Sequence, residues 1–295
     1  MSRTVTVGLD GSPESRTAAE WAAREARLCG LPLRLVHVGE PVPVPMERNE
    51  TVVPPAEGWD RIARDTAEGL RLRHPGVDIV TEQRDGEPGE TLVAAAEDAE
   101  LLVLGSRGLS GVGGFLVGSV GQSVVARAGR PVVLVRAGEQ AADEHETDPV
   151  GIPSTATRYR PVVLGLDIHG PDDAVLAFAF EEAARRGTVL RAVHAWTMPP
   201  YYAYGPAVDP AFQEELSAQL TAALRPWRQK YPSVEVVEVS AEGSASARLV
   251  DASRHASLVV VGRRTRRAPL GPHLGPVSHA VLHHATAPVA VVPHD

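Results

Sequence analysis

Residues 4–30 read TVTVGLDGSPESRTAAEWAAREARLCG, and this stretch decides the fold. TVTVGLD is an apolar, β-branched run of strand length, and SPESRTAAEWAAREARLC has the composition of a helix. Ser12 stands at the N-cap, Pro13 at the first helical position and Gly30 just past the end. Those are the residue types that start and stop a helix, because a hydroxyl can accept from a free first-turn N–H and glycine tolerates the left-handed turn at the close.

Continuing along the chain, LRLVHV (33–38) reads as a second strand and, after a proline-rich loop, residues 57–74 as a second helix. VDIVTEQ (77–83) is a third strand, PGETLVAAAEDA (88–99) a third helix, LLVLGS (101–106) a fourth strand, GSVGQSVVARAG (118–129) a fourth helix and PVVLVR (131–136) a fifth strand. Five apolar strands alternating with four helices predict an α/β fold: a doubly wound parallel sheet with helices on both faces.

The chain then repeats itself. Gly8-Leu9-Asp10 recurs as Gly165-Leu166-Asp167, a shift of 157 residues. The same shift carries Val36-His37 onto Val193-His194, Gly86 onto Gly243, Leu92-Val93 onto Leu249-Val250, Gly105 onto Gly262, Gly118 onto Gly275 and Pro131-Val132 onto Pro288-Val289. A single unbroken shift over that length predicts a tandem duplication, with one domain over 1–137 and a second over 158–295. The acidic, Pro- and Gly-containing GEQAADEHETDPVGIPSTAT (138–157) has no apolar periodicity and reads as a linker.

Composition narrows the function. The net charge of −8 argues against a general nucleic-acid binder, whose affinity rests on neutralising phosphates. No apolar run approaches the roughly 18 residues of a membrane span. The first residues, MSRTVTVGLDGS, enter strand-like alternation without a charged segment and apolar core of a secretory leader, so a cytoplasmic location is expected. Cys29 is the only cysteine, which excludes an internal disulfide and a Cys-rich zinc site.

The fourth strand runs into LVLGSRGLSGVGGFLVGSVGQSVV (101–124). Glycines let backbone approach a ligand closely, and the following helix offers first-turn N–H groups that favour an anion. Ligands of doubly wound sheets sit beyond the carboxyl ends of the strands, where this loop begins. It lacks G-x-x-x-x-G-K-[ST], and no G-x-G-x-x-G follows the first strand, so neither a P-loop nor a dinucleotide-binding fingerprint is present. The plain alternative is a glycine-rich surface loop without a ligand.

Gly105-x-x-Gly108, nine residues and then Gly118-Ser119, together with a first strand ending in Asp10, resembles the universal stress protein family, whose ATP-binding members carry G-x2-G-x9-G-[S/T]. The resemblance covers both copies. It implies that Gly8, Leu9 and Asp10 lie beside adenine and ribose, that Val38 lines the adenine pocket, and that Gly105, Arg107, Gly108, Gly118, Ser119 and Val120 surround ribose and phosphates. ATP with Mg²⁺ or Mn²⁺ is the implied cofactor. The chemistry agrees with these roles, since Asp10 can accept from a ribose hydroxyl, Arg107 can pair with phosphate and Ser119 adds a hydroxyl to the helix start.

The second copy departs from the pattern. Gly108 becomes Thr265, Ser119 becomes Pro276, and Gly11-Ser12 become Ile168-His169, leaving Asp167, Gly262, Arg264 and Gly275. Weak or absent ATP binding is expected there, against the alternative that Arg263, Arg264, Arg266 and Arg267 compensate by charge. His279, His283 and His284 on the last helix include an i, i+4 pair of the kind that holds metals, but no carboxylate or cysteine stands at matching spacing, so a solvated histidine-rich face is the reading preferred here. His37 and His194 read as structural, and Tyr201, Tyr202 and Tyr204 fall on a long loop over the pocket or a partner surface.

No catalytic residues are assigned, because no Ser/His/Asp order, paired carboxylates or candidate base emerges. The expected function is an ATP-binding stress-response regulator acting through conformation or an unidentified protein partner. The alternatives are a slow ATPase or related adenine-nucleotide hydrolase, and a nucleotide-free interaction module. In this family single-domain members pair through their last strands. That suggests PVVLVR and PVAVVP (288–293) as pairing edges, and a homodimer of the whole chain as an assembly.

Overall fold

The computed structural model describes residues 3–39, 56–108, 115–116, 118–197, 210–265 and 274–295. The chain divides near Gln140 into two compact units.

The first unit contains β1 (Thr4–Leu9), α1 (Pro13–Cys29), β2 (Leu33–Gly39), α2 (Ala56–Arg73), β3 (Ile79–Asp85), α3 (Pro88–Glu97), β4 (Ala99–Gly108), α4 (Ser119–Arg127) and β6 (Val132–Arg136); the two-residue β5 (Phe115–Leu116) falls between β4 and α4 in the chain. The strands lie in the order β3-β2-β1-β4-β6 and every pair along it is parallel. Such a sheet is covered on both faces. β1 accordingly is buried along nearly its whole length, with Val5 and Val7 fully enclosed and Leu9 nearly so. Trp21 on α1 and Leu33, Leu35, Leu101 and Leu102 on the strands are the large side chains that fill the core, each contributing about 1.5–3 kcal/mol by burial. β3, at the sheet's edge, is mostly exposed and begins two residues later than the apolar run that predicts it.

The second unit repeats the plan with β7 (Val162–Gly165), α5 (Asp173–Arg186), β8 (Leu190–Trp196), α6 (Pro210–Lys230), β9 (Val236–Glu242), α7 (Ala245–Ser253), β10 (Leu258–Arg264), α8 (Pro276–His284) and β11 (Val289–His294). Its parallel order, β9-β8-β7-β10-β11, is that of the first unit position for position. Phe180 on α5 stacks on Trp227 of α6 and on Tyr231 just past its end, with ring centroids 6.0 and 5.6 Å away.

The segment 138–157, which composition marks as a linker, is folded. A 3₁₀ turn spans Ala141–Glu144, and antiparallel bridges join His145 to Tyr159 and Thr147 to Pro153. Glu144 and His145 are buried. Side chains supply the order that apolar periodicity does not announce: Asp148 Oδ1 accepts from the N–H of Val150 and of Ile152, both at 2.9 Å, and Thr157 Oγ1 donates to the Glu146 carbonyl at 2.6 Å.

Candidate functional site

In the first unit β1 lies between β2 and β4, so the strand order reverses beside it, and in doubly wound sheets the ligand crevice lies at such a switch, beyond the carboxyl ends of the strands. Three elements present residues at that edge: the turn after β1, the end of β2 and the start of α4.

The turn after β1 is organised by short polar side chains. Asp10 Oδ1 accepts from the Ser12 N–H at 3.0 Å and from the Ser12 hydroxyl at 2.5 Å. Ser12 Oγ in turn accepts from Ser15 N–H at 3.1 Å, which caps α1, and the Ser15 hydroxyl donates to the Ser12 carbonyl at 3.0 Å. Burial acts to raise the Asp10 pKa, but the hydrogen bonds from the Ser12 side chain and backbone and from Ser15 outweigh it and hold the carboxyl below its ordinary value. Asp10 is therefore an ionised acceptor, exposed and held in place. Ser15, buried under the turn, takes part in this network although the motif does not include it; the S-x-x-S spacing with Ser12 is the only trace of it in the sequence. Gly11 has φ 78°, and a Cβ there would come 2.9 Å from Ile62 Cδ1.

The glycines of the motif serve different ends. A Cβ on Gly8 would lie 2.7 Å from Leu104 Cδ2. One on Gly105 would lie 2.5 Å from the backbone carbon and 2.6 Å from the carbonyl oxygen of Glu14, where the end of β4 passes under the start of α1. Packing requires glycine at 105, where the neighbour is backbone, whereas at Gly8 the neighbours are leucine side-chain ends that can shift. Leu9 is buried, and its carbonyl faces His37 Nδ1 at 2.8 Å, which gives that histidine a structural role. Val38 is half-buried at the end of β2.

Gly118 is the opposite case. It is the N-cap of α4 at φ −60° and ψ 161°, a conformation open to any residue, and a Cβ built on it meets nothing within 4 Å. Among the described residues, neither backbone nor packing asks for glycine there. The neighbouring helices α1 and α3 are capped by side chains, Ser12 on the Ser15 N–H and Glu87 on the N–H groups of Gly89 and Glu90. α4 has no side-chain cap among the described residues and no acidic residue in its first turn. Its first intrahelical bond runs from Gln122 N–H to the Gly118 carbonyl at 2.9 Å, so the N–H groups of Ser119, Val120 and Gly121 open the helix ahead of it. Ser119 is exposed and Val120 half-buried. Arg107 and Gly108 belong to the backbone of β4; the Arg107 side chain and residues 109–114 lie outside the described residues.

In the second unit Asp167 Oδ1 accepts from His169 N–H at 3.0 Å, as Asp10 does from Ser12. The rest of the turn differs. Ile168 is buried in place of Gly11, and the His169 ring meets the His194 ring edge-on, centroids 6.3 Å apart. With Ser12-Pro13 replaced by His169-Gly170, α5 is capped instead by Asp172 and starts one turn further along. Arg264 reaches back over the turn, its guanidinium 3.7 Å from where a Gly170 Cβ would stand. Pro276 occupies the first position of α8, removing one of the N–H groups that α4 presents, and Ser278 Oγ donates to the Gly262 carbonyl at 2.9 Å. Burial lowers the pKa of the Arg263 guanidinium. Tyr201, Tyr202, Tyr204, Arg266 and Arg267 lie outside the described residues.

Comparison with known proteins agrees with this architecture. The model of the universal stress protein family matches twice, over residues 1–136 and 158–293. A universal stress protein of Mycobacterium tuberculosis is 37% identical over 297 residues, spanning 97% of this chain and 96% of its own length. One from Mycolicibacterium smegmatis is 34% identical over 301 residues, spanning 98% and 96%. Among solved structures, a universal stress protein from Archaeoglobus fulgidus superposes with a TM-score of 0.72 over 100% of both chains at 17% identity, a likeness of fold. No helix among the described residues is long and apolar enough to cross a membrane. The chain belongs to the universal stress protein family and carries two copies of that family's domain in tandem.

Proposed function

We propose that the first unit binds ATP, and that the protein is a stress-response regulator whose nucleotide occupancy biases a conformation or a partner interface. The observation that carries this reading is Gly118: a glycine that nothing among the described residues requires, at the N-cap of a helix with no side-chain cap among them, beyond the carboxyl end of β4. Glycine at such a place leaves room for a phosphate to reach the N–H groups of Ser119, Val120 and Gly121, which the helix macrodipole makes favourable to an anion. A side-chain cap or a first-turn acid would oppose that binding, and α4 has neither among the described residues.

The remaining residues take complementary parts. Asp10, ionised and anchored through one oxygen by Ser12, has its other oxygen for a ribose hydroxyl. Val38, half-buried at the end of β2, offers apolar surface to adenine, and Leu9, buried at the end of β1, backs the site. Gly108 and Arg107 follow on β4, with Arg107 assigned to phosphate by charge. Gly8 and Gly105 act one layer below, letting α1, α3 and β4 close up so that the crevice has its shape. Mg²⁺ or Mn²⁺ would accompany the triphosphate through phosphate oxygens and water, neutralising part of its charge. The reading assigns no chemical step to the protein.

The second unit is proposed not to share this role. Its turn is occupied by Ile168 and His169, and Pro276 deletes an N–H at the helix start. Calorimetric titration of ATP with Mg²⁺ into the intact chain should then give one site. Gly118→Asp provides the sharpest variant, since aspartate is a strong N-cap at this backbone geometry and yet places a negative charge where phosphate would sit. It is expected to stabilise the nucleotide-free protein by a few tenths of a kcal/mol and to abolish ATP binding. Wild-type affinity in that variant would sink the reading.

A further inference from the structure

α8 is the second unit's counterpart of α4 and differs from it in two ways: proline at its first position, which removes an N–H, and histidines further along, at 279, 283 and 284. His279 and His283 stand one helical turn apart on one face. Their rings lie against each other, centroids 4.4 Å apart and planes tilted by 40°. His279 is exposed and His283 half-buried, so the pair opens to solvent on one side.

We propose that His279 and His283 form a chelate site for a transition-metal dication, Cu²⁺ before Ni²⁺ and Zn²⁺. Two imidazoles on adjacent positions of one metal, with metal–nitrogen bonds of about 2.0 Å meeting at about 90°, have ring centroids about 4.5 Å apart. The pair already has that separation without a change in backbone. Imidazole is a borderline ligand that suits copper, nickel and zinc, and the order of affinities for such a site rises to copper. Two ligands leave the other coordination positions to water.

The helix itself favours the ion. His283 lies in the last turn of α8, where the macrodipole is negative, and no acidic residue in the first turn competes for the cation. His284 follows on the chain but points about 100° further round the helix, off the shared face. It therefore serves as an internal control. Because the ion would tie one helical turn to the next, binding should raise the thermal stability of the protein as well as occupy a site.

The test uses the full chain titrated with Cu²⁺, read by electron paramagnetic resonance and by thermal unfolding, beside His279→Gln, His283→Gln and His284→Gln. The expected result is one saturable Cu²⁺ per chain with two coordinated nitrogens and a raised Tm. Each of His279→Gln and His283→Gln should weaken binding about tenfold or more and remove the Tm shift, with His284→Gln behaving as wild type. Tm values measured without metal show whether each variant folds, and His279, being exposed, should tolerate the change. Unchanged binding in His279→Gln, loss in His284→Gln, a sulfur-ligand signal from Cys29, or no saturable binding would each overturn the proposal.

Discussion

Two glycines of one motif have unrelated reasons to be glycine. At Gly105 a methyl group would be driven to 2.5 Å from the Glu14 backbone, with no flexible side chain to give way. Gly105→Ala is therefore expected to destabilise the protein by about 1–3 kcal/mol in urea unfolding. A cost below about 0.5 kcal/mol would mean that β4 and α1 can part without consequence, and that the packing argument is wrong. Gly118, with an ordinary φ and nothing among the described residues within 4 Å of a Cβ, carries no such penalty, and its substitution should act on ligand binding instead. Sequence alone puts both in one motif and cannot separate them, because a clash depends on which backbone passes overhead. It equally misses Ser15, whose hydroxyl lies beneath the Asp10 turn, because one more serine in a helix's first turn is unremarkable as a letter.

At the scale of elements, helix ends were the most legible features where local chemistry fixes them. Ser12, Pro13 and Gly30 delimit α1 because capping and the left-handed close, at φ 64°, are decided within a few residues. The start of α5 was not, since losing Ser12-Pro13 passes the cap to Asp172. Nor was the folding of 138–157, which rests on side-chain hydrogen bonds in place of an apolar stripe. The contact between α1 and α2 is another tertiary feature: Glu20 accepts from Arg73 Nε at 2.6 Å and pairs with His74 Nε2 at 2.8 Å. Burial acts to raise the Glu20 pKa, but the hydrogen bonds and charges of His74 and Arg73 prevail and hold it below the ordinary 4.5. A carboxyl with a lowered folded-state pKa stabilises the fold fully above its unfolded pKa, and that contribution fades as pH falls from there through the folded value. Glu20→Gln should thus lower stability at neutral pH, with the difference from wild type shrinking below about pH 4.5. Urea unfolding of both proteins across that range checks it, and a difference that is constant or grows in acid would assign the effect to packing.

At the scale of the molecule, the constant shift of 157 residues made the duplication plain, and the alternating apolar runs gave the strand order's parallel character. Duplication explains why Gly165 sits among the counterparts of the residues around Gly8: Leu92 and Leu104 at one, Leu249 and Val261 at the other. What it cannot convey is how far the two crevices have diverged, since His169 against His194 and Arg264 over Gly170 are contacts made in three dimensions. The central claim is that one copy kept the nucleotide and the other did not. Titration of ATP with Mg²⁺ into the intact chain, followed by the same titration into Gly118→Asp, tests it most directly. One site per chain, absent from a variant that is at least as stable as wild type, is the predicted result. Two sites, none, or a variant that binds as the wild type does would contradict it.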